Sequence, residues 1–187
     1  MFHTEINNTL KTINTGGLIL YPTDTVWGIG CDATDSAAVK KIFDLKGRDD
    51  NKALICLVCD AEMLKTFVKD VPEVTYSILK AAKKPTTIIY DNPMNLAKNL
   101  IGQDNTIAIR IIKEGFAHDL IKKLNTPLVS TSANISGKPT PKSFEEISLD
   151  ILKGVDYVVN LHHEKTNPKP STIIKLNSKG EVRIIRE

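Results

Sequence analysis

The sequence predicts an α+β domain of three layers (three-layer α/β), a twisted sheet of mixed strand direction with helices packed on it. Three observations predict it. Apolar residues recur at helical spacing in several segments, short β-branched runs lie between those segments, and Pro, Gly, Asn and Asp punctuate the joins with no internal repeat and no linker-like tract. A chain of 187 residues suits one domain, 1–187, with a sizeable core.

Phe2, Ile6, Leu10 and Ile13 keep helical spacing, and Gly16-Gly17 then stops the helix. A short strand at 18–21 follows, cut by Pro22. Asp35 caps a helix through Lys46, with Val39, Ile42 and Phe43 inward and Gly47 as its C-terminal stop. Residues 54–58 read as a buried strand. Asp70 and Glu73 read as a capping pair for a helix reaching about Lys84, with Val74, Ile78 and Ala81 on one stripe. Strands are expected at 85–90 and 106–110, then an amphipathic helix carrying Phe116, Leu120, Ile121 and Leu124. Leu128-Val129 opens another strand. Ser143 and Glu146 read as a capping box for a short helix, and three strands close the chain at 157–161, 172–176 and 182–185. Between the first two of these, 162–170 is a polar, proline-bearing loop placed to cover a site.

Composition excludes some classes of function. No apolar run approaches the ~18 residues of a membrane span, and the N-terminus lacks a basic region followed by an apolar core, so no signal peptide is visible. Three cysteines give no disulfide framework and point to a reducing cytoplasm. A net charge of +3 is too small to argue for nucleic acid by itself. Of the 25 basic residues only Arg48, Arg110, Arg183 and Arg186 are arginine, the permanent forked donor suited to phosphate and carboxylate.

Several stretches carry candidate chemistry. In residues 127–137 a strand runs into Ser130, Thr131, Ser132, Asn134 and Ser136, small uncharged donors at a strand's carboxyl end, where open α/β sheets bind ligands; an ordinary capping loop has the same composition. In residues 22–33, Thr23 and Thr25 put both hydroxyls on one face if the segment is extended. The same stretch holds G-x-G-x-x-A at 28–33, a poor dinucleotide motif because residues 22–27 separate it from the strand. Cys56 and Cys59 have redox or zinc spacing, yet on a strand they face opposite sides and read as core. His162-His163 lacks two further ligands at usable spacing. Lys46-Gly47-Arg48 places two cations at one helix end, either completing the last helical carbonyls or clamping an anion. Arg110 needs an anionic partner if it points inward. No Ser/His/Asp constellation stands out, so covalent catalysis has no candidate.

Taken together these residues resemble the YrdC/TsaC family of threonylcarbamoyl-AMP synthases. Residues 21–33 resemble the family's Y-P-T-D-T-V-Y-G-L-G-C-D-A, with Trp27 for its tyrosine. Lys46-Gly47-Arg48 and Ser132-Ala133-Asn134 resemble its K-x-R and S-x-N pairs, and Thr106–Arg110 its T-V-A-V-R strand. Residues 170–173 resemble its P-S-T-I, and 184–187 its closing arginine segment.

The resemblance implies a twisted mixed sheet flanked by helices around a basic concave cavity. It implies a reaction in which L-threonine, bicarbonate and ATP, with Mg²⁺ on the phosphates, give threonylcarbamoyl-AMP and pyrophosphate. The product would pass to tRNA threonylcarbamoyl-transferase proteins, and RNA or tRNA binding is a further expectation; a membrane is not. By position, Thr25, Arg110, Ser130 and Ser171 would hold threonine. Lys46, Arg48, Thr106, Ser132, Asn134, Thr140 and Arg186 would hold ATP, with Lys46, Arg48, Ser132 and Asn134 at the reacting centre. The chain departs from the family in having Asp49 where proline often follows K-x-R, no histidine on the strand at 55–58, and Lys83-Lys84-Pro85-Thr86-Thr87 for P-G-P-x-T. An extra C-terminal domain like that of longer relatives is not expected. The alternative is a non-catalytic, YciO-like protein that binds RNA or nucleotide; a carbamoyl-transfer domain like that of hydrogenase maturation proteins is more distant.

Overall fold

The computed structural model describes residues 1–48, 54–163 and 170–187. The chain runs α1 (Phe2–Asn14), β1 (Ile19–Tyr21), β2 (Gly28–Gly30), α2 (Ser36–Lys46), β3 (Ile55–Val58), α3 (Ala61–Phe67), α4 (Val74–Ala81), β4 (Thr86–Asp91), β5 (Thr106–Ile111), α5 (Phe116–Leu124), β6 (Leu128–Ser132), α6 (Leu149–Gly154), β7 (Tyr157–Val158), β8 (Thr172–Leu176) and β9 (Val182–Arg186). The nine strands form one sheet in the order β7-β1-β2-β6-β3-β5-β4-β8-β9. Pairing is mixed: β3 with β5 and β4 with β8 run parallel, while β2 with β6, β6 with β3 and β5 with β4 run antiparallel. The expected mixed sheet flanked by helices is what the chain builds.

Register decides what each face of the sheet carries, because side chains alternate along every strand. Ser130 pairs with Ile55, Ile55 with Ala108, and Ala108 with Ile89. One face therefore holds Thr106, Ala108 and Arg110 from β5 beside Ser130 and Ser132 from β6. Gly28 lies opposite Ser132, and Thr87 and Ile173 face each other across β4 and β8. The other face is largely apolar: Ile29, Val129, Cys56, Val58, Ile107, Ile109, Ile88, Tyr90 and Ile174 belong to one buried cluster with Val39, Ile42 and Phe43 of α2. A second cluster joins Ile6 and Ile13 of α1, Leu120 and Ile121 of α5, and Ile19, Tyr21, Leu57 and Leu128 of the sheet. Thus α1 and α5 cover only one end of the first face. The remainder, where small and polar residues alternate with Ile55, Ile89 and Ile173, has no helix from either of these two elements.

Local signals explain most of the helices. Asp35 accepts hydrogen bonds from the Ala37 and Ala38 amides, and Gly47 ends α2 in the left-handed region at φ 55°. Asn125 does the same for α5 at φ 59°. Elsewhere the sequence expectation is corrected. Asp70 and Glu73 do not cap α4: Asp70 itself turns left-handed at φ 57°, no side chain caps Glu73, and the helix ends at Ala81. The capping acid in this region is Asp60, whose carboxylate accepts from the Met63 amide and opens α3, a helix the periodicity did not reveal. Glu146 does not complete a capping box with Ser143 either. It accepts from the Lys142 amide within a turn, and α6 begins later, after Ser148. The strand expected at 157–161 shortens to Tyr157–Val158.

The paired glycines of β2 belong to a strand, not to a nucleotide-binding turn. A Cβ on Gly30 would lie 2.6 Å from the Val129 carbonyl oxygen and 2.8 Å from Tyr21 Cε1. Gly30→Ala should therefore destabilise the protein by about 1–3 kcal/mol through overpacking, and Asp35→Ala by about 1 kcal/mol through loss of the cap. Urea unfolding of the two variants measures both; wild-type stability for Gly30→Ala would contradict the close approach.

Candidate functional site

Two charged clusters lie at β6 and β5, one at the end of β6 and one on β5. The first is built around Lys46, whose side chain runs from the last turn of α2 into the protein and is only 1% exposed. Its ammonium donates to the carbonyls of Ser132 (2.5 Å) and Asn134 (2.6 Å), which tie the end of α2 to the end of β6. In return the Ser136 amide donates to the Lys46 carbonyl. Two of three ammonium hydrogens are thereby engaged, leaving one for a ligand. Burial, with the neighbouring Arg48 charge adding to it, brings the Lys46 pKa down to about 8. Arg48 follows the Gly47 turn, is half-buried, and is also lowered by burial.

Asn134 shapes the loop between β6 and α6. Its amide nitrogen donates to the Ile135 and Lys138 carbonyls while its oxygen accepts from the Ser132 hydroxyl. Thr140 lies further along this loop and is half-buried.

The second cluster centres on Arg110, 4% exposed. Its Nη2 pairs with the Asp24 carboxylate at 3.0 Å and its Nη1 donates to the Thr25 hydroxyl at 3.3 Å. Burial pulls the guanidinium pKa down and Asp24 opposes that shift. Nε is buried and makes no hydrogen bond among the described residues. Thr25 is held in turn by Thr23, hydroxyl to hydroxyl at 3.0 Å. These residues lie in a bend between β1 and β2, so the two threonines meet through a turn and not along an extended face. Ser130 is buried on the neighbouring strand, where an added Cβ on Gly28 would come within 3.3 Å of its hydroxyl.

Ser171 and Arg186 complete this side. The Ser171 hydroxyl shares a 2.8 Å hydrogen bond with Thr87, and its carbonyl accepts from Arg186 Nε and Nη2. Thr106, at the start of β5, donates to Asp104, which also holds Lys175. The Arg186 charge is near enough to Arg110 to lower its pKa further. Cation stands beside cation here, the arrangement expected of a surface that receives anions.

The sequence singled out Arg110 and Thr25 but not Asp24 or Thr87, the groups that hold Arg110 and Ser171. Asp24 was legible as an acid flanked by the two threonines. The other motifs fall to structural roles. Cys56 and Cys59 join different core clusters, and burial pushes the Cys56 thiol up to about 12. The His163 ring stacks on Phe144 at 3.9 Å, with Trp27 edge-on at 5.4 Å. Among the described residues no His, Cys, Asp and Glu side chains gather to hold a metal ion, and no helix is long and apolar enough to cross a membrane. Asp49, and residues 164–169 of the expected covering loop, lie outside the described residues.

Comparison with known proteins places this geometry. The Sua5/YciO/YrdC family model, described as "Telomere recombination", matches residues 11–187. The chain belongs to the Sua5/YciO/YrdC family. It is 32% identical over 149 residues to the threonylcarbamoyl-AMP synthase of Pyrococcus abyssi, covering 79% of this chain and 44% of that protein. It is 37% identical over 183 residues to a putative threonylcarbamoyl-AMP synthase of Methanocaldococcus jannaschii, covering 95% of this chain and 82% of that one. The crystal structure of Pyrococcus abyssi Sua5 complexed with L-threonine superposes with a TM-score of 0.85 at 29% identity, over 97% of this chain and 53% of that chain. Escherichia coli YciO superposes with a TM-score of 0.85 at 26% identity, over 100% and 90%. This Sua5/YciO/YrdC chain thus spans about half the length of the Pyrococcus relative.

The lowered Lys46 pKa fixes a sign for pH dependence. Below about 8 the lysine is charged in both states, and the folded protein carries the full desolvation cost. Between about 8 and the ordinary 10.5 the unfolded chain keeps a proton that the folded one has lost, so stability rises with pH. The stability of wild type relative to Lys46→Met should therefore improve from pH 7.5 to pH 9.5, read by denaturant unfolding. A difference that does not move would contradict the buried ammonium.

Proposed function

We propose that this chain is an L-threonylcarbamoyladenylate synthase. It joins L-threonine, bicarbonate and ATP into threonylcarbamoyl-AMP and pyrophosphate, which makes it a nucleotidyltransferase. The observation that carries this reading is a pair of cationic clusters, Arg110 on the face of β5 that also carries Ser130 and Ser132 of β6, and Lys46 held on the Ser132 carbonyl at the end of β6. Arg110 has a buried Nε–H without a partner, and Lys46 has an ammonium hydrogen to give. Between them on that face stand Ala108, Ile55, Ser130 and Gly28. Relatives named threonylcarbamoyl-AMP synthase and a threonine-bound Sua5 structure support it.

The chemistry suits residues that neither attack nor titrate through covalent steps. The threonine amine and bicarbonate condense to a carbamate with loss of water. A carbamate oxygen then attacks the α-phosphorus, and the bond to pyrophosphate breaks. The reactants supply the nucleophile; the protein must align several anions and offset their repulsion. Arg110, with Thr25, Ser130 and Ser171, holds threonine by its carboxylate and polar groups. Lys46, Arg48, Thr106, Ser132, Thr140 and Arg186 hold ATP, and Asn134 serves by folding the loop that presents them. Mg²⁺ arrives on the phosphates, in keeping with its habit of binding few protein groups. The whole span 1–187 works as one domain in the cytoplasm, its labile product passing to tRNA threonylcarbamoyl-transferase proteins. RNA binding by the same cationic face is a separate proposal.

Pyrophosphate release should require threonine and bicarbonate together. Lys46→Ala or Arg48→Ala should each lower it by about 10- to 100-fold, the worth of one charged hydrogen bond. Release that is indifferent to the amino acid would overturn the assignment. RNA binding that weakens steeply with salt, with no pyrophosphate formed, would favour the YciO-like alternative.

A further inference from the structure

We propose that Asp24 is an internal stand-in for the substrate carboxylate: it neutralises Arg110 in the empty site and is displaced when a ligand carboxylate arrives. The proposal rests on the placement of threonine at Arg110 given above, and makes Asp24 a specificity-determining residue of that subsite.

Three features of the structure carry it. Arg110 is 4% exposed, and a guanidinium so deeply placed needs a counter-ion whether or not a ligand is bound. Asp24 is that counter-ion, 3.0 Å from Nη2, yet its own side chain is 38% exposed. One partner is fixed in the fold and the other stands at its edge, so the pair opens by movement of the carboxylate alone. With Asp24 on Nη2 and Thr25 on Nη1, any two-point grip of this guanidinium by a carboxylate must use at least one nitrogen that is already engaged. A carboxylate entering beside Asp24 would also meet its charge. Displacement resolves both difficulties.

The place Asp24 would move to is already present. Asp24 lines a cavity of about 790 Å³ at the ends of β3 and β5, and Lys80, Lys83, Lys84 and Lys113 line the same cavity. The acids Asp60 and Glu114 share that wall, so the lysines outnumber them there by two. A carboxylate released from Arg110 therefore enters a space with cations to receive it. The exchange swaps one carboxylate for another at Arg110 and leaves the charge around the guanidinium balanced. A ligand without a carboxylate gains no such exchange, which is how Asp24 sharpens selection for an amino acid.

The test is calorimetric titration of L-threonine into wild type, Asp24→Asn and Asp24→Glu, paired with thermal unfolding in sodium acetate against equal sodium chloride. Removing the competing carboxylate raises the fraction of protein ready to bind, so Asp24→Asn should bind threonine about fivefold or more tightly. It should also unfold at lower temperature without ligand. Acetate should raise the midpoint of Asp24→Asn but not of wild type, and Arg110→Gln in the Asp24→Asn background should abolish that rise. Asp24→Glu, which keeps the charge, should behave as wild type. Should Asp24→Asn not fold, Asp24→Ser is read in the same way. Threonine binding that is unchanged or weaker in the uncharged variants would overturn the proposal and leave the synthase reading standing. Acetate rescue confined to Asp24→Asn, with threonine bound by neither protein, would support the counter-ion and remove the synthase reading.

Discussion

The alternation of side chains along β5 and β6 is the constraint on which the rest of the molecule depends. Ile107 and Ile109 point into the large apolar cluster, while Thr106, Ala108 and Arg110 point the other way. On β6, Val129 faces the core and Ser130 and Ser132 face away from it. A slip of one residue in β5 would bury Arg110 among isoleucines and turn Ile109 toward the open face. The same pattern that stabilises the core thus decides where ligand-facing groups stand, and neither can be changed alone.

Helix placement leaves part of that face uncovered by α1 and α5. α1 and α5 pack on the end where Ile19, Leu57 and Leu128 offer an apolar footing. Beyond them the sheet presents serine, threonine, alanine and glycine interspersed with Ile55, Ile89 and Ile173, a broken apolar footing for a helix. What remains is lined by cations held from behind: Lys46 by backbone carbonyls, Arg110 by Asp24 and Thr25. Burial makes each of these charges costly in isolation, as the lowered pKa values of Lys46 and Arg110 record. Such groups gain most from an anion delivered close by, where water is excluded and attraction is strong.

Much of this was legible in the sequence, for reasons that can be traced to particular residues. α2 could be read from Asp35 to Gly47 because its cap, apolar stripe and left-handed stop agree. The strands at β3, β4, β5 and β8 declared themselves through β-branched runs. The capping pair at Asp70 and Glu73 misled because the carboxylate-and-spacing rule is local, whereas Asp70 is held left-handed in the turn that follows Val68, ahead of α4. Asp60, which does cap a helix, follows a strand so closely that no apolar period announced α3. The strand order could not be read, since pairing β6 between β2 and β3 is a long-range choice that local propensity does not encode. At the site, cations and hydroxyls were found by their types and by family resemblance. Their holders, Asp24 and Thr87, escaped because a partner is defined by contact across the fold, and not by spacing along it.

The proposed function implies a ligand geometry, with the carboxylate of the amino acid toward Arg110 and the phosphates toward Lys46 and the loop after β6. The most direct measurement is a crystal structure with L-threonine and a non-hydrolysable ATP analogue bound together. The account predicts both molecules side by side on the face that carries Ala108 and Ser130, with the threonine carboxylate on Arg110 and phosphate oxygens within hydrogen-bond reach of Lys46. Ligands bound on separate surfaces, or a threonine carboxylate remote from Arg110, would contradict it.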